Sequence, residues 1–313
     1  LGITYDWLRG IKPDIIMVRA PAYGLTGPYA GARALGVHLE GVMGHTLLRG
    51  YPDLDPSVST AIYSGDYLAG CQGALAVMLA LWHRRRTGRG QLIELAQAEN
   101  ASGMFHQAFL DYALNGRVQS RIGNRSVYDF APCGVYPCRS PGTGADGGDR
   151  WIALTVVTDA QWAALRRVMG DPEWARDPQL ATVEGRAACQ DLLDGRLAAW
   201  TAGFDDEDLF HRLQAAGIPA APVLEASRVF EDAHVRARGL YQPQRLYDDV
   251  GEFRFATPFF RFPATPCTVY QPPVAMGEHN EYVYKELLGV SEEEYRRLEA
   301  EGHIAMDFDP SIP

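Results

Sequence analysis

The stretch Ser64–Arg86 constrains the fold more than any other part of this chain. Leu68, Cys71, Leu75, Met78, Leu79 and Trp82 recur at three- and four-residue spacing, which describes one face of a helix. Gly88 follows as a C-terminal cap, and Arg84, Arg85 and Arg86 put positive charge at the negative end of the helix dipole. Short apolar runs of strand length stand on either side, Ile15–Val18 before and Leu92–Leu95 after. Gln97–Leu114 reads as a second helix, ended by Asn115 and Gly116. A strand, helix, strand, helix order predicts an α/β fold with a parallel, Rossmann-like sheet and helical crossovers. The four consecutive apolar residues of Ile15–Val18 suit a strand covered on both faces.

The rest of the chain reads as a second, smaller α/β domain. At 313 residues the length argues for two domains or one large domain with an insertion. Composition shifts after Ser120: the Gly-, Pro- and Ser-rich stretch Gly123–Gly148 reads as loop and linker. Trp151–Val157 is expected as a strand, with helical patterns over Ala160–Met169, Gly185–Trp200 and Asp205–Ala216. Ile218–Leu224, which contains Pro219 and Pro222, is an edge strand or loop, because proline cannot donate to a central ladder. Ser291 and Glu294 form a capping box that opens a last helix through Glu301. The composition shift places a domain boundary near Ser120. No internal repeat is evident.

Several function classes drop out on composition. With 47% hydrophobic and 22% charged residues, a substantial core is expected rather than disorder. The longest apolar run, Ala74–Trp82, is far short of the roughly 20 residues of a membrane-spanning helix. A formal net charge of -10 disfavours a nucleic-acid partner, although local cations remain able to hold a small anion. Cys71, Cys133, Cys138, Cys189 and Cys267 form no CxxC pair, so neither a disulfide framework nor a zinc site is expected, and the cytosol is the expected compartment. No signal or transit pattern follows Leu1, and the sequence reads as starting inside a longer protein.

Chemistry concentrates in a few places. Asp66, within SGDYLAG, falls in the first turn of the expected helix, where unpaired N–H groups and the dipole stabilise a carboxylate. Gly65 and Gly70 clear space around it, so an ionised, accessible carboxylate there can act as a covalent nucleophile. The alternative is a charge that only complements the dipole, as first-turn acids commonly do. The loop Ala22–Gly31 can present backbone N–H groups to an anion, yet it lacks a GxGxxG or Walker pattern and also reads as an ordinary turn. The run RRRTGRGQ can hold phosphates or merely cap a helix. His38, His45, His83 and His106 show no metal-ligand spacing, and no metal site is expected.

Taken together these segments resemble one family. SGDYLAG followed by HRRRTGRGQLIEL resembles the signature of the class III CoA-transferases, the CaiB/BaiF family that includes formyl-CoA and carnitine CoA-transferases. IKPDIIMV running into YGLTGPYA, GNRSVYDFAPCGVYPC, AGIPAAPVLEASRVFEDAHVRARGL and GEHNEYVYKELLGVSEEEYRRLEAEGHI resemble further family segments in the family's order. The resemblance implies that Asp66 attacks an acyl-CoA thioester to give a mixed anhydride, and that the CoA thiolate then forms an aspartyl-CoA thioester. It implies CoA contacts from Tyr23, Gly24 and Arg89, and a covering active-site loop that includes Gly123, Asn124, Arg125, Ala131 and Gly134. It also implies coenzyme A as a substrate with no permanently bound cofactor, a small carboxylic acid as the other substrate, an interlocked homodimer, and a division into 1–120 for the large domain, 121–240 for the small domain and its linker, and 241–313 for a C-terminal segment returning to the large domain.

Two departures from the family pattern shape the expectation. Relatives that racemise 2-methylacyl-CoA carry a histidine near the start of the segment before the helix. Leu35 stands there, with His38 one turn on, so transfer is preferred to racemisation. The family's first strand–helix units, which supply much of the CoA surface, are not in this sequence. A catalytically idle fragment or subunit is therefore the third hypothesis, beside transferase and racemase.

Overall fold

In a computed structural model the described residues are 2–58, 60–141, 148–247, 250–267 and 274–307. They divide into two compact units, Leu1–Val223 and Leu224–Pro313. The first begins with helix α1 (Tyr5–Ile11), strand β1 (Ile16–Arg19), α2 (Gly36–Val42), α3 (His45–Leu48), α4 (Ser64–Thr87), β2 (Gln91–Glu94), α5 (Gln97–Ala101) and α6 (His106–Asn115). It continues with β3 (Cys133–Pro137), β4 (Trp151–Thr155), α7 (Asp159–Val168), α8 (Val183–Ala188), α9 (Gln190–Thr201), α10 (Asp206–Ala215) and β5 (Ala220–Pro222). The second unit holds α11 (Ala226–Glu231), α12 (Ala233–Arg238), β6 (Tyr241–Arg245), β7 (Glu252–Ala256), a π-helical turn (Tyr282–Leu287) and α13 (Glu292–Ala300).

The fold is mixed α/β, with β1 and β2 paired in parallel, Ile16 against Gln91 and Arg19 against Glu94. Helix α4 makes the crossover. Its 24 residues end where Gly88 turns left-handed at φ 71° and its amide reaches the Arg84 carbonyl, the cap the sequence predicts. Arg84 also donates to the Asp14 carbonyl at 3.4 Å and faces the Asp14 carboxylate at 3.9 Å, which ties the C-terminal end of α4 to the start of β1. The expectation that β1 is covered on both faces is not met: Val18 and Arg19 are exposed, because among the described residues β1 and β2 pair only with each other. The single helix expected over Gln97–Leu114 is instead α5, a 3-10 turn and α6. The break falls at Ser102–Phe105, where the Ser102 hydroxyl bonds back to the Glu99 carbonyl and Phe105 leaves the helical region at φ -138°.

A three-stranded antiparallel sheet, ordered β3-β4-β5, carries the main core. Inward residues Tyr136, Ile152, Leu154 and Val156 pack against Trp162, Leu165, Leu193, Leu197, Leu209, Leu213 and Ile218 from the helices. β5 lies at the edge, where Pro222 is tolerated. β3 is a correction to the sequence reading, since Cys133–Pro137 lies within the stretch taken as loop and linker; its Cys-Gly-Val-Tyr-Pro run carries a glycine and ends in proline, which hides a strand. Residues 142–147 of that stretch lie outside the described residues. The expected helix Gly185–Trp200 is split at Cys189, whose φ of -111° ends α8 and starts α9. The β6–β7 hairpin was not foreseen either; Pro243 within β6 disguises it.

Candidate active site

Asp66 is the third residue of α4 and is solvent-exposed. Because the C-terminal end of α4 is tied to the start of β1, its N-terminal end lies at the carboxyl ends of β1 and β2, where ligands bind in parallel sheets. Tyr63 stands before the helix in the left-handed region, at φ 52° and ψ 31°, a conformation that costs a non-glycine residue about 1–2 kcal/mol. The Tyr63 carbonyl accepts the amides of Asp66 at 3.1 Å and Tyr67 at 3.4 Å. Facing them is Gly36, the first residue of α2. A Cβ there would overlap the Asp66 carboxylate and come within 2.5 Å of the Tyr63 ring, so only glycine leaves the carboxylate its place.

The start of α4 has no cap from its own side chains. Glu40 of α2, 1% exposed, supplies one: its carboxylate accepts the Ser64 amide at 3.1 Å and the Ser64 hydroxyl at 3.2 Å, and pairs with Arg49 Nη2 at 3.0 Å. Burial alone would push this carboxyl up, but the Ser64 amide, the Arg49 guanidinium, the Ser64 hydroxyl and the Ile62 amide together hold it below the usual range. His45 stacks on Phe105 with centroids 5.1 Å apart and lies 3.5 Å from the Ser64 hydroxyl. Its imidazole is pushed down by burial and by Arg49, against the opposing pull of Glu40.

Tyr23 and Gly24 lie at the same end of the sheet as Asp66. After β1 the backbone stays paired beyond β2, with the Gln97 amide on the Pro21 carbonyl at 3.1 Å and the Ala98 amide on Ala22 at 2.9 Å. Gly24 has a φ of 93°, and the Leu25 amide next to it donates to Glu94 at 2.6 Å, so a carboxylate of this chain already occupies that N–H. Arg89 is elsewhere. It follows the far end of α4, and at about 1.5 Å per residue the helix separates it from Asp66 by more than about 30 Å. The structure therefore brings Tyr23, Gly24 and Asp66 to one end of the sheet and leaves Arg89 at the other.

The segment expected as a covering loop is anchored at several points. Gly123, at φ 66°, donates its amide to the Gly50 carbonyl at 2.9 Å, and Asn124 donates to the Tyr51 hydroxyl at 2.8 Å. Arg125 is held by Asp194 at 2.9 Å and by Asp191. Ala131 is fully buried, its carbonyl accepting from Arg186 Nε at 2.9 Å. Gly134 is a correction: it belongs to β3, paired with Leu154, rather than to a loop, and a Cβ there would sit 2.8 Å from the Tyr136 hydroxyl. Upstream, Asp111 is held well below the carboxylate range by hydrogen bonds from Arg117, Asn115 and Gln119, which fix the chain as it leaves α6.

Two cavities flank this segment. One, of about 520 Å³, is lined by Tyr51, Asn124, Arg125 and Tyr136 among others. The other, of about 490 Å³, is lined by His45, Arg49, Phe105, Asp111 and Arg117 among others. Among the described residues no group of three or more His, Cys, Asp or Glu side chains is placed to hold a metal, and no helix is long and apolar enough to cross a membrane. His38 accepts the Leu35 amide on Nδ1 at 3.0 Å, which engages the lone pair a neutral imidazole would use as a base. Sequence reasoning missed Gly36, Glu40 and Ser64. Their only signal was SGD at a helix start without a capping side chain before it, which implies a cap from another element.

An exposed carboxylate in the first turn of the crossover helix, at the carboxyl end of a parallel pair, places the chain among α/β enzymes that work at that end of a sheet. The family model for CoA-transferase family III matches residues 1–280, and the chain belongs to that family of enzymes. It is 31% identical over 303 residues to the succinyl-CoA–D-citramalate CoA-transferase of Chloroflexus aurantiacus, covering 96% of this chain and 72% of that one. It is 27% identical to the formyl-CoA:oxalate CoA-transferase of Streptomyces avermitilis, covering 97% and 75%. Among solved structures, a CaiB/BaiF family protein from Brucella suis matches with a TM-score of 0.77 at 27% identity, covering 91% of this chain and 71% of that one.

Proposed function

We propose that the protein moves CoA between an acyl-CoA and a small carboxylic acid, with Asp66 as the covalent nucleophile. The observation that carries this is the exposed Asp66 carboxylate, held in the first turn of α4 against a glycine that leaves it room. The carboxylate attacks the thioester carbonyl and expels CoA thiolate, leaving an aspartyl-acyl anhydride. The thiolate then attacks the aspartyl carbonyl, releasing the first acid and leaving an aspartyl-CoA thioester. The incoming carboxylate attacks that thioester, and the thiolate returns to the new acyl group, freeing Asp66. The positive end of the α4 dipole favours the charge that develops on the carbonyl oxygen at each step.

In this reading coenzyme A is a substrate and no permanent cofactor takes part. Tyr23 and Gly24 as CoA contacts, and Gly123, Asn124, Arg125 and Ala131 as the covering segment, rest on the family resemblance; Arg89, beyond the far end of α4, is too distant from Asp66 to share that site. The homodimer and the division 1–120, 121–240 and 241–313 rest on the resemblance too, and a core cluster confined to Ala131–Ile218 supports a separate small domain. Five free cysteines support a reducing compartment such as the cytosol.

The test uses succinyl-CoA, the donor named for a relative, as the probe. Borohydride or hydroxylamine trapping followed by peptide mass spectrometry should place the adduct on Asp66, and Asp66→Asn should abolish both adduct and CoA release. Turnover without an adduct on Asp66 would overturn the proposal.

A further inference from the structure

Asp66 projects from a helical turn whose entry is unusual. Tyr63 is left-handed, and its carbonyl takes the amides of Asp66 and Tyr67, so the position of the Asp66 backbone follows directly from the Tyr63 conformation. A side chain in that region persists only where its surroundings hold it there. One buried group anchors the chain beside it. The buried Glu40 carboxylate bonds the amide and the hydroxyl of Ser64, the residue just after Tyr63, at 3.1 and 3.2 Å. Glu40 is itself fixed in α2, four residues after Gly36, the residue that leaves room for Asp66. Arg49 balances its charge from the other side at 3.0 Å.

We propose that Glu40 is a positioning residue for the covalent step: by anchoring Ser64, the residue after Tyr63, it holds Tyr63 left-handed and so sets the Asp66 carboxylate over Gly36. This rests on the reading of Asp66 as nucleophile. Both Ser64 bonds use one carboxylate oxygen of Glu40 and Arg49 uses the other, so a glutamine sets its amide nitrogen against either the Arg49 guanidinium or the Ser64 amide, and in both orientations a donor faces a donor and the anchor on Ser64 is weakened. Glycine at position 63, in contrast, adopts the left-handed conformation without help.

The experiment is a double-mutant cycle on the rate of Asp66 acylation by succinyl-CoA, read by single-turnover trapping in the full chain. Glu40→Gln should slow acylation 10- to 100-fold while the KM for succinyl-CoA changes less than threefold. In the Glu40→Gln background, Tyr63→Gly should recover at least fivefold more than it changes the rate of the unaltered protein. A purely structural role would lower the melting temperature without this coupling, and a long-range charge effect would not be relieved by glycine. A Glu40→Gln rate within twofold of the unaltered protein, or a Tyr63→Gly effect equal in both backgrounds, overturns the proposal. If Glu40→Gln does not fold, Ser64→Ala takes its place, with an expected 3- to 10-fold loss and the same coupling; absence of coupling there overturns it equally. Lack of any adduct on Asp66 in the unaltered protein would instead overturn the nucleophile reading, and the positioning role with it.

Discussion

Replacing Gly36 with alanine adds one methyl group to the site and is the most direct probe of its geometry. The backbone of Gly36 is not left-handed, and it opens α2, where alanine is the better helix former by up to about 1 kcal/mol. Loss of activity cannot then come from backbone strain. The new Cβ would overlap the Asp66 carboxylate and stand 2.5 Å from Tyr63 Cδ1. Against an optimal carbon contact of about 3.5 Å, the shortfall is roughly 1 Å. A displacement of that size at a reacting group costs on the order of 100-fold in rate, equivalent to about 2.7 kcal/mol of barrier. The assay is the single-turnover acylation rate with succinyl-CoA, alongside thermal unfolding. The expected outcome is about a 100-fold slower adduct with an unchanged or higher melting temperature. Acylation within threefold of the unaltered protein would refute the placement of Asp66 against Gly36.

Other perturbations probe the surroundings. Arg186 is fully buried and donates to the carbonyls of Ala131 and Leu180 and to Asp159, so Arg186→Met should destabilise by roughly 2–5 kcal/mol, read by chemical denaturation; an unchanged midpoint would refute its role as an anchor. Burial, with Asp206 and Asp205 nearby, pushes the Cys138 thiol up to about 11, so iodoacetamide at pH 8 should label exposed Cys71 and Cys267 well before Cys138, as mass spectrometry would show. Arg166 and Arg176 hold Asp171 below its ordinary value of 3.8, so it contributes stability that is present above that pH and lost as the pH falls through the lower folded value. Asp171→Asn, whose amide also tolerates the left-handed φ of 52°, should lower the melting temperature at pH 7 and by progressively less as the pH falls below 3.8.

The sequence made the crossover legible because each of its signals is local. The apolar spacing from Leu68 to Trp82, the Gly88 cap and the basic last turn all sit within one helix, and the structure returns α4 within a residue of its expected ends. α7, α10 and α13 were legible for the same reason, since Thr158, Asp205 and Ser291 cap them from the adjoining residue. What escaped was non-local. β3 is a strand because Cys133–Pro137 pairs with Trp151–Thr155 across an intervening stretch, and nothing in its own composition says so. At the site, the position of Asp66 in a first turn was readable, whereas its cap came from Glu40, 24 residues before Ser64 and on another helix. The separation of Arg89 from Asp66 was implicit in the length of α4, but it needed the tie between Arg84 and Asp14 to show which end of the sheet each occupies.

The distribution of buried side chains in the first unit bears on how the enzyme would lose activity. Among the described residues, those buried between Ala131 and Ile218 include Trp162, Leu165, Leu193, Leu197, Leu209 and Leu213, while the buried apolar residues up to Phe105 are Leu39, Phe105 and five alanines. Apolar area is what opposes local opening. Amides of β3, β4, α7 and α9 should therefore exchange with solvent deuterium slowest, and those around α2 and the start of α4 earlier. On mild heating the turn that bears Asp66 would open while the β3–β5 domain is still folded, so inactivation would run ahead of global unfolding.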